Sequence, residues 1–269
     1  MQYDPVKRQL GSVFNRSPFL RRLFYRLLDL LLLRAWHVHR ELRGWGRGAG
    51  DKALHLYDAG AGYGQYSYWL SGRLPKARIT AIDVKEEQVA DCNAFFRAIG
   101  RPQVSFQVGD VTRFQQPDSF DLVVCVDVME HILEDEAALR CYSSSLKPGG
   151  MLIISTPSDQ GGSDVHDEGE GSFIEEHVRD GYNIDDLKAK CLRNGFSRVE
   201  ARYSYGTPGK ISWKLSMKWP LSMLNTSKLF FLILPAYYLI TYPIAYVLNW
   251  LDVSMRHPTG TGLIVKAWK

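Results

Sequence analysis

The chain has 269 residues, 45% of them apolar, which suits one α/β domain with a sizeable core and an appendage and excludes global disorder. Its 33 basic and 29 acidic side chains leave a formal charge of +4, too small an excess to imply an anionic partner unless the charges are clustered. The four cysteines, Cys92, Cys125, Cys141 and Cys191, have neither metal-knuckle spacing nor disulfide-scaffold density, so reduced intracellular thiols are expected.

Residues 1–50 read as an N-terminal helical extension. The apolar run comes too late after Met1 for an ordinary signal peptide, which disfavours export. Pro18 is placed to open a helix reaching about Leu42, where Gly44, Gly46, Gly48 and Gly50 stop it. Leu20, Leu23, Leu27, Leu28, Leu30 and Leu31 share it with Arg21, Arg22, Arg26, Arg34 and Arg40. That stripe suits a helix packed on the domain edge and equally a basic amphipathic helix lying on an anionic bilayer.

From residue 51 to 206 short apolar runs alternate with helical stretches, the pattern of parallel βαβ units. Strands are predicted at 54–57, 78–82, 104–108, 120–126, 151–154 and 196–205, with helices over 86–99, 133–146 and 184–195 between them. The run at 120–126 is the most continuously apolar, as an interior parallel strand should be. Residues 158–171 are polar, acidic and glycine-rich and read as a mobile loop. A terminal element at 258–269 contains a seventh strand, 262–267, expected beside the sixth. The fold expected is a doubly wound, Rossmann-like, mostly parallel seven-stranded sheet.

Residues 207–257 form an apolar insertion before that last strand. Residues 229–251 contain no charged side chain and are long enough to cross a bilayer as helix. Pro235 and Pro243 argue against one straight helix, and a single span would strand the seventh strand across the membrane from its sheet. A bent or hairpin-like helix pair is expected, either entering one leaflet or capping the protein. Trp213, Trp219, Tyr237, Tyr238, Tyr242, Tyr246 and Trp250 suit an interface, and Lys210, Lys214, Lys218 and Lys228 suit anionic headgroups.

The strongest local signal is Asp58-Ala59-Gly60-Ala61-Gly62-Tyr63-Gly64, where a strand ends, glycines alternate and a helix begins. Glycines there permit a tight turn and let the backbone approach a ligand at the helix N-terminus. Two features depart from a dinucleotide fingerprint. Asp58 would repel a pyrophosphate and attract an ammonium or sulfonium, and the last glycine follows its neighbour by two residues. Asp83, at the end of the second strand, is placed to accept ribose hydroxyls. Asp110 could accept an adenine amino group while the Val111 amide faces the ring. Asp127 closes the fourth strand, with Glu130 and His131 at the start of the next helix.

Together with Phe120-Asp121-Leu122-Val123-Val124, Glu130-His131 and Leu146-Lys147-Pro148-Gly149-Gly150, these pieces resemble the class I S-adenosylmethionine-dependent methyltransferases, in particular those of ubiquinone and menaquinone biosynthesis. The resemblance runs from Leu54 to about Tyr205. It implies S-adenosyl-L-methionine as cofactor, with Gly60, Gly62 and Gly64 shaping its loop, Asp83 on the ribose, Asp110 and Val111 around the adenine, and the backbone near Val126 against the methionine part. Asp127 stands where glutamate is common, and keeps the charge. Tyr63 and Tyr66 could line the methionine end.

Methyl transfer is an in-line displacement, and a phenol or carboxylate acceptor must lose its proton, so a histidine beside the methyl is useful. His131 is the first candidate base. His177, in Glu175-Glu176-His177-Val178-Arg179, is the second. No metal is expected, since His166 and its acidic neighbours lack regular spacing, and no nucleic acid, since the basic residues lack aromatic interleaving.

Three functions compete. The first is an enzyme on a lipophilic acceptor such as a quinol, isoprenoid or glycolipid intermediate, in peripheral or monotopic contact with an anionic membrane at the inner face of the cell membrane. The second is a soluble, cytoplasmic enzyme whose insertion is a lid or homodimer interface over a small apolar substrate. The third is a membrane-associated binding protein without catalysis.

Overall fold

Seven strands form one sheet in the order β3-β2-β1-β4-β5-β7-β6. They are β1 (His55–Ala59), β2 (Arg78–Asp83), β3 (Val104–Val108), β4 (Phe120–Val126), β5 (Leu146–Pro157), β6 (Arg198–Ser204) and β7 (Gly262–Trp268). The computed structural model describes residues 17–47, 53–161 and 178–269. The strands from β1 to β5 pair in parallel, and β7 enters antiparallel between β5 and β6. The expected doubly wound sheet is therefore present, with the sixth and seventh strands adjacent as predicted. Chain order reverses between β1 and β4, which opens a crevice at the carboxyl ends of those two strands.

Alternation along each strand divides the core in two. Leu56, Ile79, Leu122 and Val124 pack on one face with Leu70, Phe95 and Phe96. Tyr57, Val123 and Cys125 pack on the other with Leu139, Tyr142 and Leu187. The first face is covered by α3 (Gln65–Arg73) and α4 (Glu86–Ala98), the second by α5 (Asp135–Ser145) and α6 (Ile184–Arg193).

The N-terminal extension differs from its sequence reading in two respects. Helix runs on through Gly44 and Gly46 to Arg47 instead of stopping near Leu42, since a single helical glycine costs only about 1 kcal/mol. The helix is also broken part-way. It is two helices, α1 (Pro18–Leu31) and α2 (Leu33–Arg47), broken where Leu32 turns extended at φ −90° and ψ 108°. Pro18 does open the first, with the Ser17 hydroxyl accepting the Leu20 amide at 3.2 Å. The carbonyls freed at the break are taken by Trp36 close by and by two residues far along the chain. Trp36 Nε1 and the Tyr242 hydroxyl donate to Leu30 O, and the Ser216 hydroxyl to Leu31 O. No local signal foretells such partners.

The insertion is the expected hairpin. It runs through α7 (Thr207–Trp213), a π turn (Lys214–Lys218), α8 (Trp219–Thr226), a 3₁₀ turn (Lys228–Leu232) and α9 (Leu234–Ser254) back to β7. Tyr237 and Tyr238 on α9 donate to the carbonyls of Leu215 and Ser216 in the π turn, at 2.7 and 2.8 Å. Ser212 donates to the Asn249 side chain at 2.6 Å. Pro235 falls in the first turn of α9, where a missing amide costs nothing, but Pro243 sits inside the helix and does not end it. The chain turns instead at Ser227, between α8 and the 3₁₀ turn, where the backbone is extended at φ −159° and ψ 134°. Among the described residues no helix is long and apolar enough to cross a membrane.

Candidate functional site

The glycine loop lies at the crevice. Gly60, Gly62 and Gly64 all take left-handed backbone, at φ of +68°, +50° and +77°. A Cβ on Gly60 would lie 2.4 Å from the Val128 side chain, and one on Gly64 would lie 2.8 Å from Phe106. At Gly62 a Cβ would meet nothing within 4 Å, so here the loop borders open space rather than packing. The Gly60 and Ala61 amides both donate to Ile82 O, which ties the loop to β2.

Asp83 sits beside that open space. One of its oxygens accepts the Gly62 amide at 2.7 Å and the other the Lys85 amide at 3.0 Å. A carboxylate has about four acceptor positions, so two remain for a diol. Asp110 takes the Thr112 amide and hydroxyl on a single oxygen, at 2.8 and 2.7 Å, and projects from an exposed turn above buried Val111.

Asp58 behaves differently from its sequence reading. Its recorded bonds run to the Ser67 amide at 3.1 Å and the Ser67 hydroxyl at 2.6 Å, inside the first turn of α3. Burial pushes its carboxyl up to about 6, against those bonds. The carboxylate thus pins the helix that follows the glycine loop. Tyr63 is likewise held by its backbone. Its carbonyl accepts from Arg21 and from the Tyr25 hydroxyl, both on α1, while its ring packs edge-on against Phe24.

At the end of β4, Val126 is half-buried and Asp127 takes a φ of +52°, with its amide donating to Ser155 O. The Asp127 carboxylate forms an ion pair with Arg34 of α2. The Arg34 amide also donates to the Tyr205 hydroxyl at 3.0 Å, and Tyr205 has a φ of +55°. Two of the three described non-glycine residues with left-handed backbone therefore converge on one arginine, and such strain concentrates where a site is held to shape. The Tyr66 hydroxyl is buried nearby and finds no hydrogen-bond partner among the described residues. Arg34 was only one arginine of an amphipathic stripe in the sequence, and Tyr205 only a strand end. No spacing signal marks either.

Glu130 and His131 fall in a 3₁₀ turn (Met129–His131) rather than the predicted helix start. Glu130 is buried and accepts the Thr156 hydroxyl at 3.0 Å. Burial pushes its carboxyl up, while the charges of His131 and Arg34 pull it back. His131 is half-buried in the same turn and lies at the carboxyl end of the sheet. His177 lies outside the described residues, as does most of the predicted 158–171 loop.

The charged and polar groups at one sheet edge are thus Asp83, Asp110, Asp127, Arg34, Glu130 and His131, around an open glycine loop. Residues 56–150 match the family model described as a methyltransferase domain, the segment that holds β1 to β4, the glycine loop and these carboxylates. Over those residues the chain is similar to methyltransferase domains. It is similar also to a ubiquinone biosynthesis O-methyltransferase of Xanthomonas euvesicatoria pv. vesicatoria, 39% identical over 110 residues. That alignment spans 40% of this chain and 44% of the relative. The mitochondrial ubiquinone biosynthesis O-methyltransferase of Homo sapiens is 32% identical over 107 residues, which is 38% of this chain and 28% of that one. The chain therefore matches less than half the length of these relatives, and the insertion and N-terminal helices fall outside the family match.

Among solved structures the fold is similar to phosphoethanolamine N-methyltransferase 2 of Haemonchus contortus in complex with S-adenosyl-L-methionine. The TM-score is 0.58 and the identity 18%, over 81% of this chain and 49% of that one. It is similar too to the [4+2]-cyclase SpnF, with a TM-score of 0.55 and 20% identity over 82% of this chain and 76% of that one. At such identities the likeness is one of fold, and the fold alone carries more than one chemistry.

Proposed function

We propose that this chain binds S-adenosyl-L-methionine in the β1–β4 crevice and transfers its methyl group to a small-molecule acceptor. The observation that carries the reading is the Asp83–Gly62 pair: a strand-end carboxylate bonded at 2.7 Å to a glycine amide whose missing side chain leaves open space. In this reading the free acceptor positions of Asp83 take the ribose hydroxyls, and Asp110 with Val111 flanks the adenine. The amino-acid end of the cofactor is a zwitterion, and Asp127 with Arg34 offers one charge of each sign at the end of β4. Its α-ammonium would take Asp127 and its α-carboxylate Arg34. Bound there, the cofactor supplies a methyl on a positively charged sulfur.

The chain's own part is to align and dehydrate. The helices α1 and α2 roof the glycine loop through Arg21, Tyr25 and Arg34 and keep water from it. His131 is assigned the acceptor proton, with His177 the second candidate. Buried Glu130, next in chain to His131, accepts the Thr156 hydroxyl and acts through position and not as the base, since at 1% exposure it has no open face towards an acceptor. The insertion covers the acceptor side as a lid, a role supported by its anchorage on α2. Asp252 of α9 accepts from His37 at 2.8 Å and from the Tyr205 amide at 3.2 Å, so the lid's base adjoins the arginine of the cofactor site.

A second reading, with a lipophilic acceptor such as a quinol or isoprenoid and a peripheral membrane location, is favoured by one observation. Leu232, Leu239 and Ile240 of the insertion are more than two-thirds exposed, at 81%, 79% and 71%. Incubating the protein with the cofactor and paired short-chain and long-chain phenolic acceptors, and measuring S-adenosylhomocysteine, tests both. Product with either acceptor supports methyl transfer, and a preference for the long chain selects the second reading. Cofactor binding without product from any acceptor class would favour a non-catalytic binding protein.

A further inference from the structure

Helix α9 is inside out for a helix at a water surface. Its buried seam is Ala245, Asn249 and Asp252, two of them polar, while Leu239, Ile240, Ile244, Val247 and Trp250 face outward at 79%, 71%, 54%, 54% and 59% exposure. A surface helix in water carries charge on that outer face. Here residues 229–251 carry none. The face extends onto α1. Tyr242 donates to Leu30 O at 3.4 Å and the Trp36 and Tyr246 rings pack 4.9 Å apart, which sets Leu23, Leu27 and Leu30, all exposed, on the neighbouring helix.

The charges around this face have one sign. No acidic residue occurs between Glu200 and Asp252, whereas Lys210, Lys214, Lys218 and Lys228 do. Lys210, Lys214 and Lys228 are exposed, as are Arg22 and Arg26 on α1. Lys218 lies over the Trp213 ring, 5.8 Å from its centre, an amphipathic pair suited to a headgroup layer.

We infer that the outer face of α9 and the adjoining flank of α1 form a docking surface for one leaflet of an anionic membrane, with the lysines and arginines on the headgroups. A second copy of this chain is the poorer occupant, because a two-fold contact would bring the same cations against themselves. A bound substrate is excluded for these side chains, since they point away from the domain. The surface deepens the second functional reading, yet its occupancy is measured without turnover. It also lies on the elements that touch the cofactor site. Arg21 and Tyr25 of α1 hold the Tyr63 carbonyl, and Arg34 of α2 holds Asp127, so leaflet and glycine loop are separated by about one helix diameter, roughly 10 Å.

Flotation of the full chain with vesicles of phosphatidylcholine alone, or of phosphatidylcholine mixed equally with phosphatidylglycerol, is the test, with no cofactor present. The protein is expected to float with the anionic vesicles and far less with the neutral ones. Leu239→Glu with Ile244→Glu should abolish flotation while thermal unfolding and cofactor affinity stay unchanged. Lys210→Glu, Lys214→Glu and Lys228→Glu together should weaken anionic binding by about a hundredfold or more at low salt. These lysine changes leave the packing of α9 alone, so the test survives if the glutamates upset the fold. Failure of the unaltered chain to float, or flotation that ignores both sets of changes, overturns the inference. Elution of the unaltered chain as a dimer that Leu239→Glu splits would assign the face to a second copy instead. None of these outcomes touches the methyl-transfer reading, which stands or falls on cofactor binding.

Discussion

Strand β4 and helix α9 both read in the sequence as nearly unbroken apolar runs, and the fold treats them oppositely. Leu122, Val123, Val124 and Cys125 are sealed between two helical layers, with their backbone groups spent in the sheet. In α9 the helix satisfies its own backbone, so its apolar side chains are free to face away from the sheet, and the polar residues turn inward to hold it in place. Asp252 shows how. It is fully buried and accepts from His37, from the Tyr205 amide and from the Gly209 amide, while Arg202 donates to the other ring nitrogen of His37. Apolar content alone therefore does not say where a segment lies. The placement of its few polar residues does.

Changes at the two regions should separate chemistry from anchorage. The largest effect is expected at His131. His131→Ala should lower turnover by about a hundredfold to ten-thousandfold and leave cofactor affinity intact, checked by product formation beside calorimetry with cofactor alone. Unchanged turnover would move the base elsewhere, with His177 next in line. Asp252→Ala should follow, since it strands buried partners around a lost charge. About 3–5 kcal/mol of stability should disappear in urea unfolding. Leu239→Ala on the outer side of the same helix should shift stability by less than about 0.5 kcal/mol, and a large loss there would mean that α9 is covered in the free protein.

A smaller effect is expected in the loop. Gly60→Ala puts a Cβ against Val128 at a φ of +68°, at a cost of about 1–3 kcal/mol, and should weaken the cofactor more than it weakens the fold. The smallest effect is on the shape of the pH–stability curve. Burial on the Trp69 ring pushes His39 down to about 3, so the unfolded chain gains a proton below about 6.5 that the folded chain refuses, and stability falls as pH falls through that window. Asp58 and Asp29, each pushed up to about 6 by burial, act in the opposite sense, adding stability as pH falls from about 6 towards the ordinary carboxylate range. His39→Phe should remove the first trend and leave the second, so the variant should gain stability more steeply between about pH 6 and 4 than the unaltered chain, where the histidine offsets one of the two aspartates.

The fold was largely legible because parallel strands and glycine turns are local signals. β3 and β4 match their predicted bounds, the hairpin insertion and the return of β7 beside β6 follow from topology, and Asp58, Asp83 and Asp127 stand on their expected strand ends. What escaped is what depends on distant partners. The break at Leu32 is sustained by Trp36, Tyr242 and Ser216, and Arg34 owes its place to Tyr205 and Asp127. Asp58 was read as facing a cation because its charge was visible and Ser67, nine residues on, was not recognised as its partner. Pro243 was read as a breaker because propensity was weighed without the tyrosines that hold α9 to the π turn.

The account rests most directly on the glycine loop and Asp83, and calorimetric titration of S-adenosyl-L-methionine into the full chain and into Asp83→Ala measures it. The unaltered chain should bind with an affinity on the order of micromolar, and Asp83→Ala should lose about a hundredfold through the charge-assisted bonds to the ribose. No heat with either protein, or equal affinity in both, would contradict it.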